Sequence, residues 1–259
     1  MFVEERYQEI LKILDQENKV FANDLAKRFE VSIDTIRRDL ATMEEKGLLR
    51  RTHGGAIHAT KVREKVKHSS VGEAENGSLH HHAIAKYAAN LIEKGDTVFI
   101  GGSLLHHLLL EYLPTNISYS VVTNSIQVAD RLKDYGNTDV FMVCGKIISK
   151  GLTIDAFATE FIRSLRIDTA FLAGAGISAN HGLSNATSEA ATFTKAVSEV
   201  SRRKICLAVY NKIGKESFAR SIEVTDLDML ITDWDSNEKE LNRIKTLGVE
   251  VVVVDKPKE

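Results

Sequence analysis

The chain has 259 residues, 43% of them hydrophobic, two cysteines and a formal net charge of −2. That is length for one large or two modest domains, and it excludes a protein that coats nucleic acid over its whole surface, because non-specific phosphate binding scales with the cations presented. No apolar run approaches the roughly 20 residues of a membrane-spanning helix, and the opening MFVEERYQEI lacks the cationic and apolar regions of a secretory signal, so the reading is a cytoplasmic protein with no membrane partner.

Over residues 5–15, Tyr7, Ile10, Leu11 and Leu14 recur at helical spacing and give one apolar stripe. A second short helix is predicted over ANDLAKRF, with Leu25, Ala26 and Phe29 on one side and Asn23 or Asp24 supplying a capping oxygen. After a break at Glu30 and Val31, Ser32 reads as the N-cap of a third helix running to about Lys46 and ended by Gly47. Ile33, Ile36, Leu40 and Met43 of that helix fall in one inward stripe, which turns Asp34, Arg38 and Ala41 outward, flanked by Thr35, Arg37 and Thr42. LLRRTHGGA then reads as a small hairpin with a glycine-rich tip.

This is the layout of a helix-turn-helix with a wing, over residues 1–57. In that geometry the second helix of the motif enters the major groove and neighbouring groups hold phosphates. Ser32, Asp34, Thr35, Arg37 and Arg38 are therefore the DNA-facing candidates on the helix, and Arg50, Arg51, Thr52, His53 and Gly54 those on the wing. The competing reading is a solvated helix whose arginines pair with Asp34, Asp39 and Glu44.

Residues 58–82 are polar and nearly free of periodic apolar positions, which predicts a linker with a first helical turn near its end. Its triple histidine, His80 to His82, does not converge on one ion, because consecutive residues of a helix face different directions. No metal and no cofactor are expected.

From residue 83 to residue 259 the pattern becomes α/β. Strands are predicted at DTVFIG, YSVVTN, DVFMVCG, DTAFLAGAG, KICLAVY, DMLIT and VEVVVVD, with helices over residues 104–112, 126–132, 157–165, 189–201 and 238–247. Near-continuous apolar strands alternating with helices imply a mostly parallel, Rossmann-like sheet covered on both faces. Ligands of such sheets gather at the carboxyl ends of strands, here the loops opening at Gly101, Thr123, Gly145, Gly174 and Tyr210. Cys144 and Cys206 lie in apolar stretches and read as buried thiols without a site role. Thr123, Asn124 and Ser125 sit where a strand gives way to a helix, a place where N–H groups and hydroxyls can cradle an anion. Lys195 and Lys212 could add charge, and Gly102, Gly145, Gly174 and Gly176 allow close backbone approach.

VSIDTIRRDLATMEEKGLLRRTHGGA resembles the DNA-binding signature of the DeoR family of bacterial sugar-metabolism regulators nearly position by position. AIAKYAANLIEKGDTVFI, VVTNSIQVADRL, LRIDTAFLAGAGIS and LDMLITD are similar to that family's effector-sensing domain. The resemblance implies a ribose-5-phosphate-isomerase-like fold that binds a phosphorylated sugar, and it adds Ser103 and Glu189 to the effector candidates. The sensing loops depart from the family pattern. Its Asp-Ser-Gly-Thr-Thr is replaced by Gly101, Gly102, Ser103, Leu104 and Leu105; the acidic residue of its Gly-Ala-Asp-Gly-Ile becomes Ala175; its Asp-Ser-Ser-Lys becomes Val209, Tyr210, Asn211 and Lys212, with only the lysine kept.

GAGISA formally fits a dinucleotide-binding turn, but that motif opens straight into a helix and here NHG follows at once. A sugar isomerase needs a positioned carboxylate as base. Where isomerases of this fold resemble Asp-Gly-Ala-Asp-Glu, this chain has Leu-Ala-Gly-Ala-Gly. The expectation is therefore a transcriptional regulator and not an enzyme: a repressor that binds a double-stranded DNA operator as a homodimer or homotetramer and answers to a small metabolite. An isomerase-like enzyme and a DNA-binding protein with an unresponsive pocket are the alternatives.

Overall fold

The computed structural model describes residues 3–17, 19–45, 48–52, 54–58 and 77–257. The chain divides into two compact units, Met1–Ser69 and Ser70–Glu259.

In the first unit, α1 (Val3–Glu17), α2 (Ala22–Phe29) and α3 (Ile33–Glu45) enclose a core in which Ile10, Leu14, Ile36, Leu40 and Met43 are buried, the stripes read from the sequence. The predicted hairpin is β2 (Leu49–Thr52) against β3 (Gly55–His58). A strand the periodicity did not reveal, β1 (Lys19–Phe21), pairs antiparallel with β3 and makes the wing a three-stranded sheet. β1 is three residues long, too short for an alternation to register. It also corrects the start of α2. The N-cap is Phe21, with no side-chain cap, so neither Asn23 nor Asp24 fills that role; the Ala22 N–H instead donates to the Gly54 carbonyl at 2.8 Å. Gly55 is required there, since a Cβ would collide with the Val20 carbonyl across the β1–β3 pairing. Glu30, in the left-handed region at φ 54°, makes the turn between α2 and α3. The predicted helix end at Lys46 and Gly47, the wing residue His53 and linker residues 59–76 lie outside the described residues.

One buried ion pair holds α1 on α3. Arg6 Nε donates to Asp39 Oδ2 at 2.7 Å with both side chains almost fully covered, and this bond raises the Arg6 pKa. A pair this buried is costly to break from one side, because the survivor keeps its desolvation penalty.

The second unit is a seven-stranded, all-parallel sheet. Its strands are β4 (Thr97–Ile100), β5 (Tyr119–Thr123), β6 (Thr138–Met142), β7 (Ile167–Leu172), β10 (Ser201–Leu207), β12 (Met229–Asp233) and β13 (Glu250–Val254), in the spatial order β13-β12-β10-β7-β4-β5-β6. Each predicted apolar run is one of these strands. One face carries α4 (Leu79–Ala89), α5 (Leu104–Leu109) and α6 (Ile126–Leu132); the other carries α7 (Ala156–Arg163), α8 (Ser188–Val200) and α9 (Glu238–Thr246). α4 begins inside the predicted linker, with Ser78 as N-cap. A small antiparallel sheet of β8 (Gly176–Ser178), β9 (Gly182–Asn185) and β11 (Ala219–Ile222) was not foreseen, its strands being short and rich in serine and glycine.

Starting at β4 the chain winds outward through β5 to the edge strand β6, then returns to place β7 on the other side of β4. The winding therefore reverses between β4 and β7, which is where doubly wound sheets open a crevice. Of the two cysteines, Cys206 is buried in β10, where burial raises its thiol pKa to about 12. Cys144 is exposed, contrary to its apolar surroundings in sequence, because the edge strand has just ended there and the chain leaves the sheet.

Replacing Asp39 by Asn should strip the charge from the buried pair and lower the opening free energy of α1 and α3 by about 3 kcal/mol. Hydrogen exchange of peptides from these helices in the full chain measures it; unchanged protection would show that the pair does not hold the unit together.

Candidate functional site

The outward face of α3 is set by the packing of its inward face. With Ile36, Leu40 and Met43 buried, Asp34, Arg37 and Arg38 are fully outward and Thr35, Ala41 and Thr42 half-buried beside them. Ser32 Oγ accepts the Thr35 N–H at 3.1 Å and lies 2.8 Å from Thr35 Oγ1, so the two hydroxyls cap the helix together. The pairing expected of a merely solvated helix is mostly missing. Arg37 reaches Asp34 at 3.3 Å in an exposed contact, but Asp39 is taken by Arg6, and Glu44 accepts the Arg51 backbone N–H at 2.8 Å. Arg38 has no ion pair among the described residues.

Arg51, Thr52 and Gly54 of the wing are exposed. Arg50 lies in β2 between Leu49 and Arg51. A concavity of about 200 Å³ separates α3 from the wing, and Arg37, Arg51, Thr52, Gly54 and Asn23 line it. Asn23, exposed in the first turn of α2, is a polar group at this surface that sequence reasoning assigned only to capping.

In the second unit the candidate effector residues follow strand order along the carboxyl edge of the sheet: loop 123–125 beside loop 101–103, then loop 173–176, then residues 208–212. Thr123, Asn124 and Ser125 do form the turn from β5 into α6, but it is turned inward. All three are buried. Ser125 N–H donates to Thr123 Oγ1 at 3.1 Å, Asn124 Nδ2 donates to the Thr153 carbonyl at 3.0 Å, and Ser125 Oγ accepts the Val128 N–H at 3.4 Å. Gly102 lies under Leu152, with which an added Cβ would collide, and against Ser125. Gly145 lies against Asp155, whose carboxylate caps α7 and accepts the Lys146 N–H; these backbone donors lower its pKa.

Loop 173–176 is tied to the small sheet: Ala175 N–H donates to the Ser184 carbonyl at 2.8 Å, and Gly174 packs on Leu183 and Ser184. Gly176 begins β8 and lies against the Lys215 backbone. Lys212 is half-buried with its pKa lowered, first by burial and then by Lys215, and it has no ion pair among the described residues. Glu189 is exposed in the first turn of α8, and Lys195 is exposed further along that helix. No hydrogen bond or ion pair joins either of them to the other candidates among the described residues.

Two groups were missed in the sequence. His106 is fully buried between the strands where the winding reverses. Its Nδ1 accepts the Ser103 N–H at 3.2 Å while its Nε2 lies 2.9 Å from the Phe171 carbonyl, so Nε2 carries the proton and the ring bridges the β4 loop to β7. Ser103 Oγ in turn accepts the His106 N–H and caps α5. The second is a cluster around the first turn of α4. His80 stacks on Trp234 at 4.4 Å and leans on Tyr210, with Nε2 at 2.7 Å from Asp235 Oδ2 and 3.9 Å from Asp233 Oδ1. Asp233, wholly buried, accepts the N–H groups of Tyr210 and Asp235. The triple histidine thus diverges as helical geometry requires: His81 turns to Ser78 and His82 to Tyr112. The donor atoms of His80, Asp233 and Asp235 lie within 4.8 Å of one another, close enough to share a divalent ion, although here they satisfy one another.

Residues 6–62 match the DeoR-like helix-turn-helix domain, and residues 78–234 match the DeoR C terminal sensor domain. The chain is 32% identical over 256 residues to the HTH-type transcriptional repressor GlcR of Bacillus subtilis, covering 98% of each. It is 30% identical over 244 residues to the lactose phosphotransferase system repressor of Streptococcus mutans, covering 91% of this chain and 94% of that one. Among solved structures, ribose 5 phosphate isomerase A from Neisseria gonorrhoeae aligns with 51% of this chain and 52% of its own at 13% identity and a TM-score of 0.38, a likeness too distant to argue from.

Burial lowers the His106 pKa from 6.5 to about 4, against the opposing pull of the Phe171 carbonyl. The fold therefore holds the ring neutral, and its contribution is complete above pH 6.5 and lost as pH falls toward 4, where the unfolded chain takes up the proton first. Between pH 7.5 and pH 5 the native chain should lose about 2 kcal/mol of stability that the His106→Gln variant does not lose. Denaturant titrations followed by Trp234 fluorescence test this, and parallel pH profiles for the two proteins would refute it.

Proposed function

The chain belongs to the DeoR family of transcriptional regulators, and from that premise we propose that it represses genes of sugar or carbohydrate metabolism by gripping a double-stranded DNA operator in the cytoplasm. The observation that carries the DNA half is the division of charge on α3: Asp39 is committed to a buried pair, while Arg38 stands exposed with no ion pair among the described residues. An α-helix presenting such a face fits the major groove, with Arg37 and Arg38 toward base edges or flanking phosphates and Arg50, Arg51, Thr52 and His53 meeting phosphate or minor groove from the wing. Ser32, Asp34, Thr35 and Gly54 complete this surface. Paired half-sites call for a homodimer or homotetramer.

The sensor half responds to a phosphorylated sugar or a related anion. Lys212 supports this reading, being half-buried beside a second lysine and without a carboxylate partner among the described residues, a situation that a bound anion relieves. Gly102, Ser103, Thr123, Asn124, Ser125, Gly145, Gly174, Gly176, Glu189 and Lys195 make up the rest of the proposed effector set. Control is linkage: a metabolite that prefers the DNA-incompetent arrangement weakens operator binding by its differential affinity and no more. Lys212 shares its loop with Tyr210, whose N–H binds Asp233 beside His80, so a ligand on Lys212 bears on the first turn of α4.

On the operator upstream of its own gene, Arg38→Ala should weaken specific binding by about 1–3 kcal/mol, and Arg51→Ala should lower the salt slope of binding by roughly one unit. Fluorescence anisotropy across a salt series reads both. A native chain with no preference for any duplex over random competitor would overturn the proposal.

For the effector, calorimetry against a panel of pentose and hexose phosphates, with inorganic phosphate as probe, should give weak binding at most. Leu104, Leu105 and Ala175 have replaced polar groups, and Lys212→Ala should abolish what binding there is. One tight binder would show that the replaced loops do not weaken the site, and binding indifferent to Lys212 would refute the charge anchor.

A further inference from the structure

The sheet has an open edge beside an uncovered apolar flank. β6 is the last strand on its side, and its outer backbone groups pair with no other strand among the described residues. Proteins guard such edges with lysine, proline or a bulge. β6, Thr138–Met142, has no lysine, proline or bulge; its one charge is Asp139, and its register with β5 is unbroken.

α7 lies on the same side of the sheet, with Ala158 and Ile162 buried toward the strands. Arg163 reaches Glu199 of α8 at 3.4 Å, which turns the Thr159 and Arg163 flank toward α8. Phe157 and Phe161, four residues apart and so on one face, therefore occupy the opposite flank, away from α8 and toward β6. Phe141 projects from β6 onto this same side, because it is in register with Val122, which is buried in the core beneath α7. All three phenylalanines are left in solvent, Phe157 at 75%, Phe141 at 54% and Phe161 at 36%, and Ile147, in the loop whose Lys146 donates to the α7 cap, adds another 59%.

We infer that β6 and the outer flank of α7 form a two-fold interface with a second copy of this chain. A phenylalanine side chain buries 150–250 Å², so the exposed fractions amount to roughly 400 Å² of apolar surface per copy once Ile147 is included. Two copies bring together roughly 800 Å², about the apolar share of the smaller half of standard-size interfaces, which run from about 1,200 to 2,000 Å². A two-fold axis also sets two β6 edges antiparallel, so the same patch serves both partners. The inference deepens the reading of the regulator as an oligomer by naming the face that joins the copies.

Sedimentation velocity of the full chain tests it. The native protein should sediment as a dimer or tetramer, and Phe157→Glu, at a side chain three-quarters exposed, should at least halve its mass with unchanged circular dichroism. Phe141→Ser, on a different element, should do the same. A monomeric native chain would overturn both this inference and the oligomeric reading; an oligomer that neither variant weakens would overturn the interface alone.

Discussion

Neighbouring loops of a parallel sheet cover one another unless the winding reverses between their strands, and here it reverses between β4 and β7. The loops after these strands leave in opposite directions, and the gap must be filled or left open. His106 fills its floor. A neutral imidazole can accept from the Ser103 N–H and donate to the Phe171 carbonyl at once, which no apolar residue could do and which a charged one could do only against a large desolvation cost. That ring ties the β4 loop to the carboxyl end of β7.

The sequence made the parallel strands plain because the inner ones are buried on both faces and so read as uninterrupted apolar runs, and the edge strands β6 and β13 are largely apolar although partly exposed. Val20 and its neighbours in β1, and Ser178, Ser184 and Ser221 in the small sheet, left no such trace. Their strands are three or four residues long, and their serines are buried by hydrogen bonding to backbone and side chains, as with Ser184 Oγ and the Gly176 carbonyl. The same ambiguity governs the site. Thr123, Asn124 and Ser125 have the chemistry of an anion cradle, and that chemistry is indistinguishable in one dimension from a turn that satisfies itself. Only the position of Thr153, twenty-nine residues from Asn124, decides between them. His80 was legible as a histidine on a helix, but its partners Trp234 and Asp235 lie more than 150 residues away.

Charge on the first unit is sorted by burial. Although the chain carries a net charge of −2, two acidic groups of α3 are occupied within the fold, Asp39 by Arg6 and Glu44 by a wing N–H, leaving Asp34 exposed beside Arg37. Both arrangements strengthen packing and simultaneously withdraw carboxylates from the arginine face. A local positive surface arises in this way without a basic protein, which matters because phosphate contacts depend on nearby charges within about a Debye length and scarcely on the total.

The replaced residues of the sensing loops have structural consequences of their own. Leu105 is buried in the core under α5, Leu104 packs partly against it, and Leu152 closes over Gly102, so the β4 and β5 side of the crevice has become apolar and self-satisfied. The charged groups lie on the other side, where Lys212 and Lys215 follow β10. Asp233 closes the far end of that side and faces His80 rather than the lysines. A ligand held mainly from one side would be fixed by charge more than by a ring of hydroxyls, and its selectivity would then rest on its fit against Leu152 and the small sheet.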